Sequence, residues 1–241
     1  MTYELKYKQY SERAILVAWP SRIDKNILED VLLFKNSIKI KKDKVIVQIT
    51  STYNSLLIFY TSTIKDVYSE ISALRSIYET CGVAENLQNH LWEIPVCYED
   101  ELSPDLLSFC NQKKLSVDEF VALHTAPTYQ VYFIGFLPGF LYLGGLDPKL
   151  HFPRKQTPNL KVEKGSVAIG GQQTGIYPSN SPGGWHVVGK TPVELFDKDR
   201  RPPCFIQPGD QIKYVAISLE QYGDIFTKIK KGTYDLKSVK L

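Results

Sequence analysis

Glycine and proline are divided very unevenly along this sequence. Of its 15 glycines and 14 prolines, only Gly82 and Pro20 come before Pro95. Both residue types interrupt regular elements and occupy turns, so their density limits the length of strands and helices. A change this sharp indicates two architectures in one chain of 241 residues. We expect one domain at residues 1–90 and a second at 91–241.

The composition, with 43% hydrophobic and 23% charged residues, is typical of a globular protein. The net charge of +3 is too small to favour nucleic acid or an anionic membrane as a partner. The four cysteines and four histidines show no metal-ligand spacing, so we expect free thiols and no metal. The first residues lack an apolar signal segment, and glycines and prolines interrupt the apolar run 131–146. We expect a cytoplasmic protein.

Hydrophobic periodicity predicts a mixed domain of helices and strands at the N-terminus. Three runs have the length and β-branched content of strands, namely Ala14–Trp19, Val45–Thr50 and Ser55–Tyr60. Apolar residues recur at helical spacing from Ile27 to Ile38, after a possible Asp24 cap, and again from Val67 to Tyr78. If Leu91–Cys97 adds a last strand, the order is β-α-β-β-α-β, a ferredoxin-like arrangement.

Short strands dominate the rest of the chain and predict a β barrel or sandwich. They are Tyr129–Phe133, Ser166–Ile169, Trp185–Val188, Val193–Phe196 and Gln211–Ile217. Ser116 and Glu119 form a capping box that opens a short helix, and a last helix covers Leu219–Lys230. His124 lies on the apolar face of the short helix. It is either a core residue with a hydrogen-bond partner or part of a pocket lining.

The segment from Gly165 to Lys190 is rich in glycine and in neutral hydrogen-bonding groups. Such a segment can hold a carbonyl, amide or carboxylate through backbone N–H groups and side-chain dipoles. The residues we expect to bind a substrate are Gly170, Gln172, Tyr177, Ser181, Gly183, Gly184, Trp185 and Lys190. The alternative is a set of tight turns in a barrel, with Trp185 filling the core.

Four long motifs of the chain resemble one known family. They read IPVCYEDELSPDL, GFLPGFLYLGGLDPKLHFPRKQTP, GSVAIGGQQTGIYPSNSPGGWHVVGKTP and QPGDQIKYVAIS. Together they resemble the KipI/PxpB family, which comprises the B subunit of 5-oxoprolinase and is also called allophanate hydrolase subunit 1 or kinase A inhibitor. The resemblance extends over nearly the whole chain.

This resemblance implies a fold and an activity. The fold is an α+β chain, in which a small ferredoxin-like N-terminal domain precedes a cyclophilin-like β barrel. The activity is that of a non-autonomous subunit of an ATP-dependent 5-oxoprolinase, which opens 5-oxo-L-proline to L-glutamate. The implied partners are a KipA/PxpC-type and a PxpA-type subunit. ATP, with Mg, is expected in the complex rather than on this chain alone.

Other functions within and beyond the family stay open at this point. Some relatives are fused within biotin-dependent urea carboxylase as part of a carboxyltransferase, and one inhibits autophosphorylation of a sporulation histidine kinase. The alternative function is therefore a regulatory protein that binds a sensor histidine kinase. A peptidyl-prolyl isomerase is a third hypothesis, suggested by the barrel alone, and fold does not determine function.

Opening a resonance-stabilised lactam requires hydrogen-bond donors, a cation and a proton carrier. The glycine-rich segment offers donors, Arg154 or Lys190 a cation, and His124 or His186 a proton carrier. We therefore expect His124, Arg154 and His186 to be catalytic, although Arg154 could instead form a surface ion pair with Asp147.

The nucleotide itself has no recognisable binding motif in this sequence. The P-loop pattern GxxxxGK followed by Ser or Thr does not occur, so ATP is expected at the interface with a partner. The apolar stretch Phe133–Leu146 is a candidate for contacting that partner, and the alternative is that it belongs to the barrel core.

Overall fold

The computed structural model describes residues 3–81 and 89–241. The chain divides into two compact units, residues 1–87 and 88–241. Gly82, the single glycine before Pro95, lies outside the described residues. All four cysteines are free thiols. Within the described ranges, no helix has both the length and the apolar character needed to cross a membrane.

The first unit is a four-stranded antiparallel sheet with two helices. Its strands are β1 (Lys6–Ser11), β2 (Ala14–Ala18), β3 (Ile46–Ser51) and β4 (Ser55–Tyr60), and its helices are α1 (Lys25–Lys42) and α2 (Val67–Glu79). Asp24 caps α1 by accepting a hydrogen bond from the Asn26 backbone N–H, as expected. The apolar stripe of α1 is buried, with Ile27, Phe34 and Ile38 fully inaccessible. The mixed helix and strand character of this unit is thereby confirmed.

The predicted last strand of the first unit is wrong. The sheet order is β1-β2-β4-β3, so β4 lies between β2 and β3, the two strands that α1 connects. The position beside β2 is taken by β1 and not by Leu91–Cys97, which belongs to the other unit. Strand β1 reads KYKQYS and is mostly exposed, so it lacks the hydrophobic signal that identifies a strand.

The second unit contains ten strands and three α-helices among the described residues. The strands are β5 (His90–Cys97), β6 (Tyr129–Ile134), β7 (Leu141–Gly144), β8 (Asn159–Val162), β9 (Ser166–Gly170), β10 (Gln173–Ile176), β11 (Ser181–Gly183), β12 (His186–Lys190), β13 (Gln211–Ile217) and β14 (Ser238–Lys240). The helices are α3 (Leu106–Lys113), α4 (Val117–Thr125) and α5 (Leu219–Lys230).

Eight of these strands form one sheet that curls into a nearly closed barrel. The order is β10-β9-β12-β5-β13-β6-β7, and β14 also pairs with β5. The two ends of the sheet approach each other: a Cβ added at Gly175 on β10 would lie 3.1 Å from the Leu141 carbonyl oxygen on β7. Strands β8 and β11 pair separately. The barrel encloses a large apolar core that includes Ile94, Tyr129 and Ile212.

Local signals predicted the helices of this unit better than some of its strands. The capping box of Ser116 and Glu119 is present at α4, and α5 covers Leu219–Lys230 as predicted. The predicted strand Val193–Phe196 is wrong, because only Phe196 pairs, in an isolated bridge with Cys204. Pro192 directly precedes this run, Pro202 and Pro203 precede its bridge partner Cys204, and proline cannot donate a hydrogen bond to a sheet.

Candidate active site

A pocket of about 290 Å³ opens on the second unit. Its lining combines five aromatic rings, one cation and a short stretch of backbone: Phe136, Phe140, Tyr142, Arg154, Pro158, Tyr177, Pro182, Gly183, Gly184 and Trp185. The volume is close to the lower limit for sites that bind small molecules. Four of the predicted substrate-binding residues and one predicted catalytic residue therefore line the same pocket.

Phe140 organises the aromatic walls. Its ring meets Tyr177 at 5.4 Å and 82°, and Trp185 at 5.5 Å and 79°. Tyr142 and Phe136 approach the same ring at 5.2 Å and 5.5 Å, also edge to face. Each such pair is favourable because the positive edge of one ring faces the negative face of another. The walls are thus held in one arrangement by contacts among themselves.

Three glycines allow these rings to lie close to the backbone. A Cβ at Gly170 would collide with the Trp185 ring, and one at Gly183 would collide with the Tyr177 hydroxyl. A Cβ at Gly175 would lie 3.1 Å from both Phe140 and Trp185. Positions 170 and 183 therefore require glycine, because an aromatic side chain lies too close to the backbone for a Cβ. Gly170 itself does not line the pocket.

Arg154 supplies the positive charge of the pocket. Its guanidinium carbon lies 5.7 Å from the centre of the Trp185 ring, in a cation–π arrangement. The alternative ion pair with Asp147 is not formed, and no carboxylate of residues 3–81 or 89–241 lies within 4.0 Å of this guanidinium. Asp147 instead accepts a hydrogen bond from the Lys149 backbone. An exposed, unpaired arginine at a pocket can hold an anion.

Tyr177 contributes a neutral polar group to the wall. Burial raises the pKa of its hydroxyl, and the hydrogen bond from the Trp185 backbone N–H and the charge of Arg154 only partly oppose that shift. The phenol therefore stays protonated at neutral pH. Because the Trp185 N–H donates to its oxygen, the hydrogen of the hydroxyl remains available as a donor.

His124 does not reach this pocket, which corrects its prediction as a proton carrier in contact with substrate. Its side chain is fully buried in the barrel core, where Nδ1 lies 2.7 Å from the Tyr98 hydroxyl and Nε2 lies 2.9 Å from the Thr174 hydroxyl. Burial lowers its pKa from 6.5 to about 3. The ring also stacks on Tyr214 at 4.7 Å. The sequence left two interpretations of His124 open, and the structure supports the one in which it is a hydrogen-bonded core residue.

His186 also lies away from the pocket, although Trp185 beside it lines the wall. Successive side chains of an extended strand point to opposite faces. The His186 ring packs against Phe109 at 5.9 Å and Phe152 at 4.8 Å, and its Nε2 lies 3.0 Å from the Pro153 carbonyl oxygen. The predicted catalytic role of His186 therefore has no geometric support at this pocket.

Three more predicted binding residues lie outside the pocket lining. Gln172 is exposed in the turn between β9 and β10, and the Ser181 hydroxyl is buried without a hydrogen-bond partner among the described residues. Lys190 forms an ion pair with Glu163 at 2.5 Å. It lines a second pocket of about 420 Å³, together with Lys164 and other residues.

Sequence reasoning missed part of the pocket lining, namely Phe136, Phe140, Pro158 and Pro182. Phe136 lies in the hairpin between β6 and β7, is 62% exposed and has a φ of 59°. A left-handed conformation is uncommon for a bulky residue, and such residues are enriched at functional sites. The motif GFLPGF marked this turn, but its side chains could not be assigned to a pocket without the fold. Within the described residues, no group of three or more His, Cys, Asp or Glu side chains could hold a metal ion.

This barrel and its pocket belong to a carboxyltransferase-type chain. The sequence profile of the family described as carboxyltransferase domain, subdomain C and D, matches residues 5–206, and the chain belongs to that family. The fold agrees: the crystal structure of the K. lactis urea amidolyase superposes with a TM-score of 0.79 at 19% identity, over 99% of this chain and 16% of that chain.

Two relatives are each named as the B subunit of 5-oxoprolinase. The protein from Bacillus subtilis (strain 168) is 33% identical over an aligned length of 234, and the alignment covers 92% of this chain and 97% of the relative. The protein from Haemophilus influenzae (strain ATCC 51907 / DSM 11121 / KW20 / Rd) is 36% identical over 210 residues, which are 87% and 97% of the two chains. The resemblance predicted from the four motifs is confirmed.

Proposed function

We propose that this chain is a non-autonomous subunit of an ATP-dependent 5-oxoprolinase, which converts 5-oxo-L-proline to L-glutamate. The names of the two relatives support this proposal, because the chain covers 97% of each of them. The observation that carries it is the pocket of about 290 Å³, with aromatic walls and one unpaired cation. Such a lining suits a small cyclic molecule that bears a negative charge.

The name of the two relatives refers to one part of an enzyme with several subunits, so the companions are part of the proposal. We take them to be a KipA/PxpC-type and a PxpA-type subunit. The hairpin between β6 and β7 is the candidate contact, because it exposes Phe136 at the mouth of the pocket while Val131, Leu141 and Leu143 stay in the core. Most of the stretch Phe133–Leu146 is therefore partly or fully buried, and its tip is what a partner could cover.

The lining of this pocket does not favour ATP as its ligand. A triphosphate requires several positive groups or a cation-binding loop, whereas Arg154 is the sole charged residue of the described lining. The volume also suits a molecule much smaller than a nucleotide. We therefore assign binding of ATP to a companion subunit. ATP supplies the energy that activates the lactam amide, and the residues of this chain bind and orient the ring.

Reconstitution with the two companion subunits tests the proposed function. The three purified proteins are mixed with ATP, Mg and 5-oxo-L-proline, and the release of L-glutamate and ADP is measured. We expect both products at matched rates, and we expect both to vanish when this chain is left out. Unchanged glutamate formation without this chain would refute the proposal.

A further inference from the structure

We infer that this pocket binds 5-oxo-L-proline directly, with Arg154 holding the carboxylate and Tyr177 donating a hydrogen bond to the lactam oxygen. The inference rests on the proposed function and deepens it, because it gives the substrate a location and gives two residues separate roles. The isolated chain should then bind the substrate before any companion or nucleotide is present.

The shape of the pocket favours a compact ring. Phe140 and Trp185 meet edge to face at 5.5 Å, and Tyr177 meets Phe140 at 5.4 Å, so the rings enclose a space with apolar sides. The methylene groups of a five-membered ring can contact such sides without losing hydrogen bonds. Gly183 and Gly184 contribute backbone rather than side chain to the lining, which leaves room for the polar groups of the ring.

The charge of the pocket selects a carboxylate. The Arg154 guanidinium lies over the Trp185 ring at 5.7 Å, and stacking on a ring leaves its N–H edges free to donate. Two parallel N–H groups match the two oxygens of a carboxylate. The cations of the second pocket differ, because Lys190 is paired with Glu163 and Lys164 with Glu194. Of these three cations, Arg154 is therefore the one available to bind an external anion.

Tyr177 provides a donor for the lactam oxygen. Its hydroxyl accepts the Trp185 backbone N–H, which fixes the oxygen and leaves the hydrogen to be donated. The hydroxyl lies beside Gly183, where a Cβ would collide with it. A donor placed on an amide oxygen withdraws electron density from the carbonyl and prepares the lactam carbon for attack.

Isothermal titration calorimetry with the isolated chain tests the inference with three ligands. 5-Oxo-L-proline carries both polar groups, 2-pyrrolidone lacks the carboxylate, and L-proline lacks the lactam oxygen and carries a ring ammonium in place of the amide N–H. We expect saturable binding of 5-oxo-L-proline and weaker binding of the other two. Arg154→Gln should weaken 5-oxo-L-proline about tenfold or more and leave 2-pyrrolidone unchanged.

Tyr177→Phe tests the second role with the same ligands. It should weaken 5-oxo-L-proline about tenfold and leave L-proline unchanged, because L-proline has no lactam oxygen to accept the bond. Arg75→Gln is the matched control for the arginine variant, since Arg75 also stacks on an aromatic ring, Tyr7, at 5.2 Å, but lies in the first unit. We expect wild-type affinities for Arg75→Gln.

The assembled enzyme separates this inference from the proposed function. If turnover requires this chain but Arg154→Gln changes neither the affinity of the isolated chain nor KM for 5-oxo-L-proline, the inference is wrong and the proposed function stands. If the isolated chain binds 5-oxo-L-proline through Arg154 but turnover does not require the chain, the proposed function is wrong. Equal weakening of all three ligands by Arg154→Gln would also overturn the inference, since it would indicate a distorted pocket.

Discussion

The Gly165–Lys190 segment lines two different pockets. Its interior residues Gly183 to Trp185 contribute to the aromatic pocket, whose cation, Arg154, has no carboxylate partner among the described residues. Its two ends, Gly165 and Lys190, line the larger pocket, where Lys164 and Lys190 are both paired with glutamates. Neutralised charges stabilise a surface, whereas an unpaired charge beside apolar walls is prepared for a ligand. The smaller pocket is therefore the better candidate site.

The middle of the segment is held by the barrel core. Thr174 on β10 is fully buried, and its hydroxyl lies 2.9 Å from Nε2 of His124. Gly175, the next residue, lies against the rings of Phe140 and Trp185, and a Cβ there would lie 3.1 Å from both. His124 thus fixes the strand behind the aromatic pocket without touching its contents. The following predictions test this division of the segment.

Gly183→Ala should have the largest effect, because it damages the aromatic pocket and leaves the larger pocket intact. The new Cβ would collide with the Tyr177 hydroxyl, and relieving such an overlap costs about 1–3 kcal/mol. We expect binding of 5-oxo-L-proline to weaken about tenfold or more by calorimetry. Gly223→Ala on α5 is the control, since Gly223 lies outside the pocket lining and its Cβ would meet no atom within 4 Å. Equal losses in the two variants would contradict the geometry.

The pH dependence of stability should report the buried His124. Its pKa is about 3 in the folded protein, against 6.5 for an unperturbed histidine in the unfolded chain, so unfolding takes up a proton between these values. The free energy of unfolding should therefore fall as pH falls from 6.5, by about 1.4 kcal/mol per pH unit. Urea denaturation at several pH values measures it. His124→Asn should show a shallower slope. The carboxyl groups of Asp66, Glu119 and Glu163, whose pKa values are lowered, act in the same direction and remain in both proteins.

Thr174→Val should destabilise the protein by removing the hydrogen bond between Thr174 and His124. The change keeps the volume but leaves His124 Nε2 without the partner at 2.9 Å, and an unsatisfied buried polar group costs about 1–3 kcal/mol. Urea denaturation at pH 7 provides the measurement. Thr227→Val on the exposed face of α5 removes a hydroxyl that only reaches the Gly223 carbonyl, and should change the free energy of unfolding much less. If Thr174→Val left the free energy of unfolding unchanged, His124 would not support the strand through this hydrogen bond.

Glu163→Gln should have the smallest effect and would sharpen the contrast between the pockets. It leaves Lys190 without its anion, and an exposed ion pair contributes only about 0–1 kcal/mol. We expect a small change in the midpoint of urea denaturation and unchanged affinity for 5-oxo-L-proline. A large loss of affinity would move the site from the Arg154 pocket to the Lys190 pocket.

Elements with local signals could be predicted from the sequence. The capping box at Ser116 identified the start of α4, because its hydrogen bonds join residues three apart, and α5 begins with the same kind of box at Ser218. The exposed strand β1 has no such signal, and Leu91–Cys97 was placed in the wrong sheet because a strand does not encode its partner. Its actual neighbours are β12, β13 and β14, all about ninety or more residues later.

Individual residues of the candidate site could be predicted from the sequence, but the contacts among them could not. The sequence identified Arg154, Tyr177 and Trp185, but the stacking of Arg154 on Trp185 joins residues far apart in the chain. The face of each side chain also depends on strand register, which separates Trp185 from His186 although they are neighbours. His124 was placed on the correct apolar face, and only the packed barrel shows that this face points into the core.

A crystal structure of the chain soaked with 5-oxo-L-proline tests the central claim most directly. We predict one molecule beside Trp185, with its carboxylate on the Arg154 guanidinium and its lactam oxygen within hydrogen-bond distance of the Tyr177 hydroxyl. A molecule bound instead between Lys190 and Glu163, or an Arg154 pocket that stays empty at saturating ligand, would contradict it.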